Sequence, residues 1–305
     1  MDKIKFPLDK IDLAIYHKPC FDGNSCALII YKHYLEHNLV SPKFVGVVPG
    51  EKELSILNLH DYKNKNVIIM DVAFNREQIL QLKKDCNNLL IVDHHISNYN
   101  SLKDLYFCIF DLNKSASCML YEIFYPNSKM PLFLEKVEDN DIQKKPPNHN
   151  DSNKFFTAIQ VKFQHIMDID NNKHWDSWIK LFNDDYVHEL TKIGICFSEY
   201  KNFLINNNNK FYKKVIVLTH PKFNVICFPD THIVGLSSDL LHSVEDKCDI
   251  VMLYRYMEHK KKYLVTMRTN KDIDLVELFG DKVSGHSKAV SGFIKDIKTF
   301  IKIIN

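Results

Sequence analysis

Acidic and imidazole side chains stand at the ends of three short apolar runs in the sequence. His17 ends the first run, Asp71 the second, and Asp93, His94 and His95 the third. Carboxylates that meet at one place repel each other unless a cation neutralises them, and carboxylates with imidazoles typically bind manganese, magnesium or zinc. Two such ions sharing a carboxylate can support in-line attack on phosphorus. The pattern predicts a divalent-metal site, although a helix cap or a satisfied hydrogen bond explains any one of these residues alone.

These side chains can meet if the three runs are neighbouring strands of one parallel sheet. Up to about residue 140 the sequence alternates between apolar runs and amphipathic stretches, which is typical of β-α-β units. The predicted strands are Ile11–His17, Lys43–Val48, Val67–Asp71, Leu89–Asp93 and Tyr106–Asp111. The predicted helices are Asn24–Leu39, Arg76–Lys84, Ser115–Tyr125 and Pro131–Asn140, followed by a helical stretch from Lys154 to about Asn206. Ligands of such sheets bind beyond the carboxyl ends of the strands, where the polar residues lie.

A second apolar-patterned region follows the asparagine run Asn206–Asn209. Its predicted strands are Val215–Thr219, Asn224–Phe228, Ile250–Tyr256 and Tyr263–Arg268. Its predicted helices are Ser237–Val244 and Ile273–Phe279. The sequence therefore predicts an α/β protein with two domains. A parallel-sheet domain with a helical linker is expected at 1–205, and a smaller α/β domain at 211–305.

Composition argues against several classes of protein. The 305 residues include 40 basic and 38 acidic side chains, and the net charge of +2 excludes a tail-like basic coat protein of nucleic acid. Hydrophobic residues make up 45% of the chain, which argues against intrinsic disorder. No apolar run reaches the roughly eighteen residues of a membrane span, and the first ten residues lack the apolar stretch of a signal peptide. We therefore expect a cytoplasmic protein with no membrane partner.

Two residue types are distributed in an informative way. The eight cysteines form no C-x-x-C pair, so a disulfide scaffold or a paired zinc motif is disfavoured and reduced thiols are expected. Only three of the forty basic residues are arginines, while Lys, Asn and Ile are plentiful. This bias is typical of AT-rich coding sequences, such as those of protists or large DNA viruses. An arginine kept against such a bias is a candidate for function.

The ends of the predicted strands resemble the signature motifs of the DHH phosphoesterase superfamily. Leu89–His95 resembles the motif that names the family, and further segments follow the family's order. They are Tyr16–Gly23, Val67–Asp71, Phe110–Ser117 and Val137–Asp141 in the first region, and Val265–Arg268 and Val283–Phe293 in the second. The resemblance covers nearly the whole chain. It implies a DHH domain followed by a DHH-associated substrate-binding domain, in the branch near nanoRNases, cyclic-dinucleotide phosphodiesterases and the larger RecJ exonucleases.

The resemblance also implies a role for each motif residue. Two ions, Mn²⁺ or Mg²⁺, would bind at the strand ends. His17 and Asp71 would hold the first ion. The residues that would hold the second are Asp22, Asp71, His94 and Asp141, with Asp71 bridging. His95 would act catalytically beside the ions, by positioning a phosphate oxygen or by orienting its neighbour. Asp93 would fix a histidine tautomer, as metal-bound imidazoles usually require.

The second domain supplies the substrate-binding residues that the resemblance implies. Arg268, His286 and Gly285 would bind the phosphate or the terminal nucleotide of the substrate. Arginine grips phosphate with a two-pronged fork that lysine lacks. The rarity of arginine in this chain makes Arg268 the more informative of the three residues.

The sequence departs from the family pattern at two places and leaves a choice at a third. Cys20 stands where the family usually has an aspartate, and either a metal-ligating thiol or a small buried thiol is compatible with the sequence. Val283 and Ser284 replace glycines that usually precede the histidine of the second domain. Asp139 and Asp141 compete for the role in the fourth motif, and Asp141 is the preferred residue.

The predicted function is a metal-dependent phosphoesterase that hydrolyses phosphodiester bonds with a water activated by two ions. The expected substrates are short single-stranded nucleic acid or small (cyclic di)nucleotides, because long nucleic acids usually require an extended basic track. A DHH-fold binding or structural protein without turnover is the alternative, supported by Cys20 and the altered second-domain motif. A pyrophosphatase or polyphosphatase is a third hypothesis. A homodimer is compatible with all three.

Overall fold

The structure is a computed structural model that describes residues 5–18, 20–47, 62–142, 149–163, 175–211, 216–219, 223–229, 248–280 and 283–296. Contacts between Cα atoms divide the chain into two compact units, Met1–Phe197 and Ser198–Asn305. Each unit has a sheet of its own. The predicted helix Ser237–Val244 lies outside the described residues.

The first unit is built on a five-stranded parallel sheet. Its strands are β1 (Leu13–His17), β2 (Lys43–Val47), β3 (Asn66–Met70), β4 (Asn88–Asp93) and β5 (Cys108–Phe110). The order is β2-β1-β3-β4-β5, and every neighbouring pair is parallel. All five residues of β3 are buried, as expected for a strand covered on both faces. The strands β1, β3 and β4, whose ends carry the polar residues, are therefore neighbours.

Helices cover both faces of this sheet. They are α1 (Phe21–Glu36), α2 (Arg76–Asp85), α3 (Ile96–Leu102), α4 (Ala116–Phe124), α5 (Leu132–Asp141), α6 (His149–Lys162), α7 (Trp175–Trp178) and α8 (Asp184–Phe211). Short 3₁₀ segments lie at Leu8–Lys10 and Ile179–Phe182. Ala14 and Tyr16 join the core that contains α1, α4 and α5, while Leu13 and Ile15 join the core that contains α2 and α3. Successive residues of β1 thus face opposite layers.

The first turn of α1 differs from the prediction, which began this helix at Asn24. The helix begins at Phe21, so Gly23 lies inside it. A Cβ atom on Gly23 would lie 2.2 Å from the carbonyl oxygen of His17. The glycine therefore permits close packing of the helix against the end of β1 and does not break the helix.

Two helices extend beyond what the periodicity predicts. Helix α3 was not predicted, because its sequence ISNYNSL has no apolar period, and His95 is its N-cap residue. Helix α8 continues to Phe211 and includes the run Asn206–Asn209, which was expected to separate the two regions. Low helix propensity is a weak signal that tertiary context often overrides.

The second unit contains a six-stranded mixed sheet. Its strands are β6 (Ile216–Thr219), β7 (Asn224–Pro229), β8 (Ile250–Met257), β9 (Lys262–Arg268), β10 (Ser284–His286) and β11 (Ala289–Ile294), and its described helix is α9 (Leu275–Phe279). The order is β10-β11-β9-β8-β7-β6. The β7–β8 pair is parallel and the other pairs are antiparallel. The hairpin of β10 and β11 was not predicted, since its two-residue turn, Ser287-Lys288, lacks the usual glycine or asparagine.

Among the described residues, no helix combines the length and the apolar character that crossing a bilayer requires.

Candidate metal centre

The carboxyl ends of three neighbouring strands place five polar side chains at one edge of the first sheet. His17 is the last residue of β1, Asp71 directly follows β3, and Asp93 is the last residue of β4. His94 and His95 follow Asp93 and lead into α3. Because β3 lies between β1 and β4, Asp71 is at the middle of this group. The structure thus brings together the side chains that the sequence placed at separate strand ends.

Asp71 holds its carboxylate between two imidazoles. Its Oδ2 lies 3.2 Å from His17 Nδ1, and its Oδ1 lies 3.2 Å from His94 Nε2. Its backbone has φ +58°, in the left-handed region that L residues other than Asn and Asp rarely adopt. The Asp71 amide donates to the carbonyl oxygen of Val92 at 3.0 Å, which fixes this turn to β4. A strained backbone at such a position is a pointer to function.

Asp22 approaches the group from the first turn of α1 and is held by the start of α4. Its two carboxylate oxygens accept hydrogen bonds from the backbone amides of Ala116 at 2.8 Å and Ser117 at 3.0 Å. The free amides and positive end of a helix N-terminus favour a carboxylate at this place. Asp22 Oδ2 lies 3.8 Å from His94 Nε2. Helix α4 therefore orients Asp22 toward the strand ends.

Asp141 reaches the same imidazole from the last turn of α5. Its Oδ2 lies 3.0 Å from His94 Nε2. Asp139, the competing residue of the fourth motif, accepts a hydrogen bond from Ser152 Oγ at 3.2 Å. The structure places Asp141, and not Asp139, against His94.

Asp93 orients the second histidine of the pair. Its Oδ1 lies 2.7 Å from His95 Nδ1 and accepts hydrogen bonds from the backbone amides of His94 at 2.8 Å and His95 at 3.2 Å. Its Oδ2 accepts from Asn98 Nδ2 at 2.5 Å. With Nδ1 engaged by Asp93, the Nε2 atom of His95 is the one left for other partners. Asp93 itself is fully buried.

The ligand atoms form three overlapping sets, each with all its atoms within 4.8 Å of one another. The sets are Asp71, Asp93, His94 and His95; His17, Cys20 and Asp71; and Asp22, His94 and Asp141. Asp71 and His94 each belong to two of these sets. Cys20, whose role the sequence left open, belongs to the set at the end of β1.

Three of these atoms are buried without a hydrogen bond to any described residue, namely Asp71 Oδ1, His94 Nε2 and Asp141 Oδ2. They nevertheless lie at 3.0–3.2 Å across the two contacts of His94, so the distances are short but the angles do not suit hydrogen bonds. Buried polar groups normally have hydrogen-bond partners. Ligand atoms that point at one shared ion would lie close together, as these do, without hydrogen bonds between them. The donor set of carboxylates and imidazoles fits a divalent cation.

Burial and mutual charge shift the acid–base equilibria of the centre. Burial, followed by the charges of Asp71 and Asp141, raises the pKa of Asp22. Burial alone would raise the pKa of Asp71 as well, but its contacts with His17 and His94 outweigh burial and lower it. Burial, Asp71 and Asp22 together raise the pKa of the Cys20 thiol. Several anions crowd one buried place, and a divalent cation would stabilise them there.

The predicted substrate-binding residues lie in the second unit. Arg268 ends β9 and is in register with Ala289 of β11, which is in register with His286 of β10. Arg268 and His286 thus share one row across three strands, and Gly285 precedes His286. The Nε atom of Arg268 is buried without a hydrogen-bond partner among the described residues, and burial lowers the pKa of its guanidinium.

A separate cavity of about 690 Å³ lies beside the edge strand β5 of the first sheet. Leu90, Phe107 and Met119 are among the apolar residues that line it, together with charged residues that include Lys114 and Glu122. Lys114 and Glu122 form an ion pair of their own. None of the predicted site residues is among those that line this cavity.

Comparison with known proteins gives weak similarity in sequence. No family model matches the chain. An uncharacterized protein of Acanthamoeba polyphaga mimivirus is 23% identical over 237 residues, a match that covers 73% of this chain and 52% of the relative. The chain therefore spans about half the length of the curated relative it matches.

Solved structures resemble the chain over almost its full length. A pGpG-specific phosphodiesterase from Vibrio cholerae matches with a TM-score of 0.53 at 15% identity, covering 96% of this chain and 98% of that one. Exonuclease RecJ bound to manganese matches with a TM-score of 0.51 at 10% identity, covering 98% and 89%. The chain has the DHH phosphoesterase fold. As the sequence predicted, an α/β unit with a parallel sheet precedes a smaller α/β unit.

Sequence reasoning missed two supports of the candidate metal centre. Asn98 holds Asp93, but it lies in a helix with no apolar period. The backbone amides of Ala116 and Ser117 hold Asp22. Any residue type can donate such a bond, so the sequence does not indicate it. Ser115 was the available clue, because it is an N-cap residue whose Oγ accepts from the Cys118 amide at 3.2 Å.

Proposed function

We propose that this DHH protein is a metal-dependent phosphoesterase that hydrolyses phosphodiester bonds in short oligonucleotides or small (cyclic di)nucleotides. The observation that carries the proposal is the convergence of Asp71 Oδ1, His94 Nε2 and Asp141 Oδ2, three buried atoms without hydrogen bonds to the described residues. His94 Nε2 lies 3.2 Å from the Asp71 oxygen and 3.0 Å from the Asp141 oxygen, and a divalent cation bound here would join all three atoms. Their convergence in a buried place supports a role in metal binding.

Five residues would hold the ions, Mn²⁺ or Mg²⁺. They are His17, Asp22, Asp71, His94 and Asp141. When bound, divalent ions supply Lewis-acid stabilisation and lower the pKa of water enough to make it a nucleophile. Asp71 would serve both positions, because its two oxygens face different imidazoles. Asp22 would be fixed in direction, since two amides of α4 donate to it.

His95 is the candidate for direct contact with the substrate. Its side chain is 38% exposed, whereas that of His94 is 9% exposed. Asp93 accepts the proton of His95 Nδ1, which turns Nε2 outward to hydrogen-bond a phosphate oxygen. Asp93 thus acts by positioning His95, and His95 by positioning the phosphate for in-line attack.

Arg268, His286 and Gly285 would bind the substrate's phosphate or terminal nucleotide from the second unit. The guanidinium offers a two-pronged donor for phosphate, and its buried Nε has no described partner. A net charge of +2 suits a short substrate better than a long duplex. The similar Vibrio protein is specific for pGpG, and this supports a small nucleotide as substrate.

The test is elemental analysis of protein purified without chelator, followed by a substrate panel with added Mn²⁺. The panel contains pGpG, a cyclic dinucleotide, an activated aryl phosphodiester, pyrophosphate and polyphosphate. We expect bound divalent metal and turnover of the nucleotides, abolished by chelation and restored by Mn²⁺. Turnover of pyrophosphate or polyphosphate alone would contradict the nucleotide assignment.

A binding protein without turnover is the second candidate, and one observation favours it. Val283 and Ser284 replace the glycines of the family's second-domain motif, so the backbone there approaches a substrate less closely. Folded, manganese-loaded protein that binds pGpG but hydrolyses nothing in the panel would establish this alternative.

A further inference from the structure

Cys20 lies at the metal centre in a position that local structure does not explain. It is the N-cap residue of α1, with extended backbone at φ −137° and ψ 139°, and its side chain makes no capping hydrogen bond. N-cap positions normally carry Ser, Thr, Asp or Asn, whose oxygen caps the helix. A thiol is a weak hydrogen-bonding group and caps a helix poorly, so its neighbours outside the helix are the relevant contacts.

Those contacts are with two candidate ligands. Cys20 Sγ, a ring nitrogen of His17 and a carboxylate oxygen of Asp71 all lie within 4.8 Å of one another. Asp71 is 1% exposed, and its Oδ1 has no hydrogen-bond partner among the described residues. The carboxylate that completes this set is therefore buried and has one oxygen without a hydrogen bond, which is an independent sign that it binds a cation.

The two ends of the centre offer different donor atoms. The set of His17, Cys20 and Asp71 presents sulfur, nitrogen and oxygen, whereas the set of Asp22, His94 and Asp141 presents only nitrogen and oxygen. Thiolate ligands select thiophilic cations such as Zn²⁺, while sites rich in carboxylate suit Mn²⁺ and Mg²⁺. Three protein ligands plus one open position is also the usual composition of a catalytic zinc site.

We propose that Cys20 is a thiolate ligand of the first metal position and that it shifts this position's selectivity from Mn²⁺ toward Zn²⁺. The proposal rests on the proposed function, because it assigns one more ligand to the same centre. The protein would then hold two unlike ions, with the thiophilic one at the end of β1. No other cysteine among the described residues belongs to a potential metal-binding set.

Cobalt spectroscopy tests the thiolate directly. Full-length, metal-free protein is titrated with Co²⁺, and the near-ultraviolet sulfur-to-cobalt charge-transfer band is recorded for wild type, Cys20→Ser and Cys196→Ser. Cys196 is the matched control, an exposed thiol on α8. We expect the band in wild type and Cys196→Ser and its loss in Cys20→Ser. In a competition between Zn²⁺ and Mn²⁺, Cys20→Asp should lower the preference for zinc at least about tenfold.

A second measurement on wild type does not depend on how the variants fold. Zn²⁺ should protect Cys20 from iodoacetamide, with peptide mapping to locate the protected thiol, while Cys196 stays reactive. Cobalt binding without the charge-transfer band would overturn the thiolate proposal and leave metal binding intact. So would a Cys20 that iodoacetamide modifies fully both with and without Zn²⁺. Absence of any Co²⁺ or Mn²⁺ binding would instead overturn the proposed function, and the thiolate with it.

Discussion

Asp71 combines an unusual backbone conformation with contacts to two imidazoles. Its backbone is held at φ +58°, a conformation that costs most L residues about 1–2 kcal/mol. In return, each of its carboxylate oxygens faces a different imidazole, at 3.2 Å in both cases. A backbone conformation that directs the two oxygens toward different imidazoles is expected of a carboxylate shared by two ions. It is not expected of a residue whose only role is stability.

Asp71→Asn should abolish hydrolysis, with a loss in kcat/KM of more than about 100-fold, while Cys20→Ala should lose less. Asp71 would serve both ions and Cys20 only one. Asparagine also tolerates the left-handed conformation, so the melting temperature of metal-free Asp71→Asn should stay near that of wild type.

Asp71→Ala distinguishes the effect of the backbone conformation from the effect of the carboxylate. Unlike Asp71→Asn, it should lose both activity and about 1 kcal/mol of stability. Steady-state kinetics and thermal unfolding of the three variants provide the comparison. A more damaging Cys20→Ala would show that Asp71 does not bridge.

At the scale of elements, the centre depends on how closely α1 approaches β1. A methyl group on Gly23 would lie 2.2 Å from the His17 carbonyl oxygen, and a backbone atom cannot move aside cheaply. Gly23→Ala should therefore cost about 1–3 kcal/mol in the free energy of unfolding and displace Asp22. Gly46→Ala is the control, since the closest atom there, at 2.4 Å, is Cδ of the flexible Lys18 side chain. Equal melting temperatures for the two variants would contradict close packing as the reason for Gly23.

The N-terminus of α4 is the second element on which the centre depends. Ser115→Ala removes the Oγ that accepts from the Cys118 amide and should cost about 1 kcal/mol. It should also weaken Mn²⁺ binding, because the same turn holds Asp22. Asn75→Ala is the matched control, an N-cap of α2 whose side chain accepts from Gln78 at 3.0 Å.

The two N-cap variants should lose similar stability in thermal unfolding. Isothermal titration with Mn²⁺ should show weaker affinity for Ser115→Ala alone. Unchanged affinity in Ser115→Ala would mean that α4 does not position Asp22.

Helices and strands with a strong apolar pattern could be predicted from the sequence. Those that depend on contacts with distant parts of the chain could not. The runs ending at His17, Asp71 and Asp93 read as strands because they are buried on both faces. Helix α3 and the β10–β11 hairpin lack that pattern. The candidate ligands could be named because they directly follow strands, but the support of Asp22 by α4 joins residues 94 positions apart, and no local pattern records such a contact.

At the scale of the whole molecule, the two units carry different parts of the proposed chemistry. The candidate ligands belong to Met1–Phe197, while Arg268 and His286 belong to Ser198–Asn305. The division implies that metal binding and substrate selection can be impaired separately.

Arg268→Lys should raise KM for a dinucleotide by about 10-fold or more, because one point charge replaces a two-pronged donor. An activated aryl phosphodiester, which needs only the metals, should lose much less. Arg76→Lys is the control, since Arg76 pairs with exposed Asp104, an interaction worth little. Equal losses on both substrates, or no loss, would rule out Arg268 as a substrate clamp.

The central claim is that two divalent cations bind on either side of Asp71. Anomalous diffraction from crystals grown with Mn²⁺ and Zn²⁺ tests it most directly. We predict two peaks about 3.5–4 Å apart that share the Asp71 carboxylate, one beside His17 and the other beside Asp22, His94 and Asp141. Crystals with no anomalous peak within coordination distance of Asp71 would contradict the account.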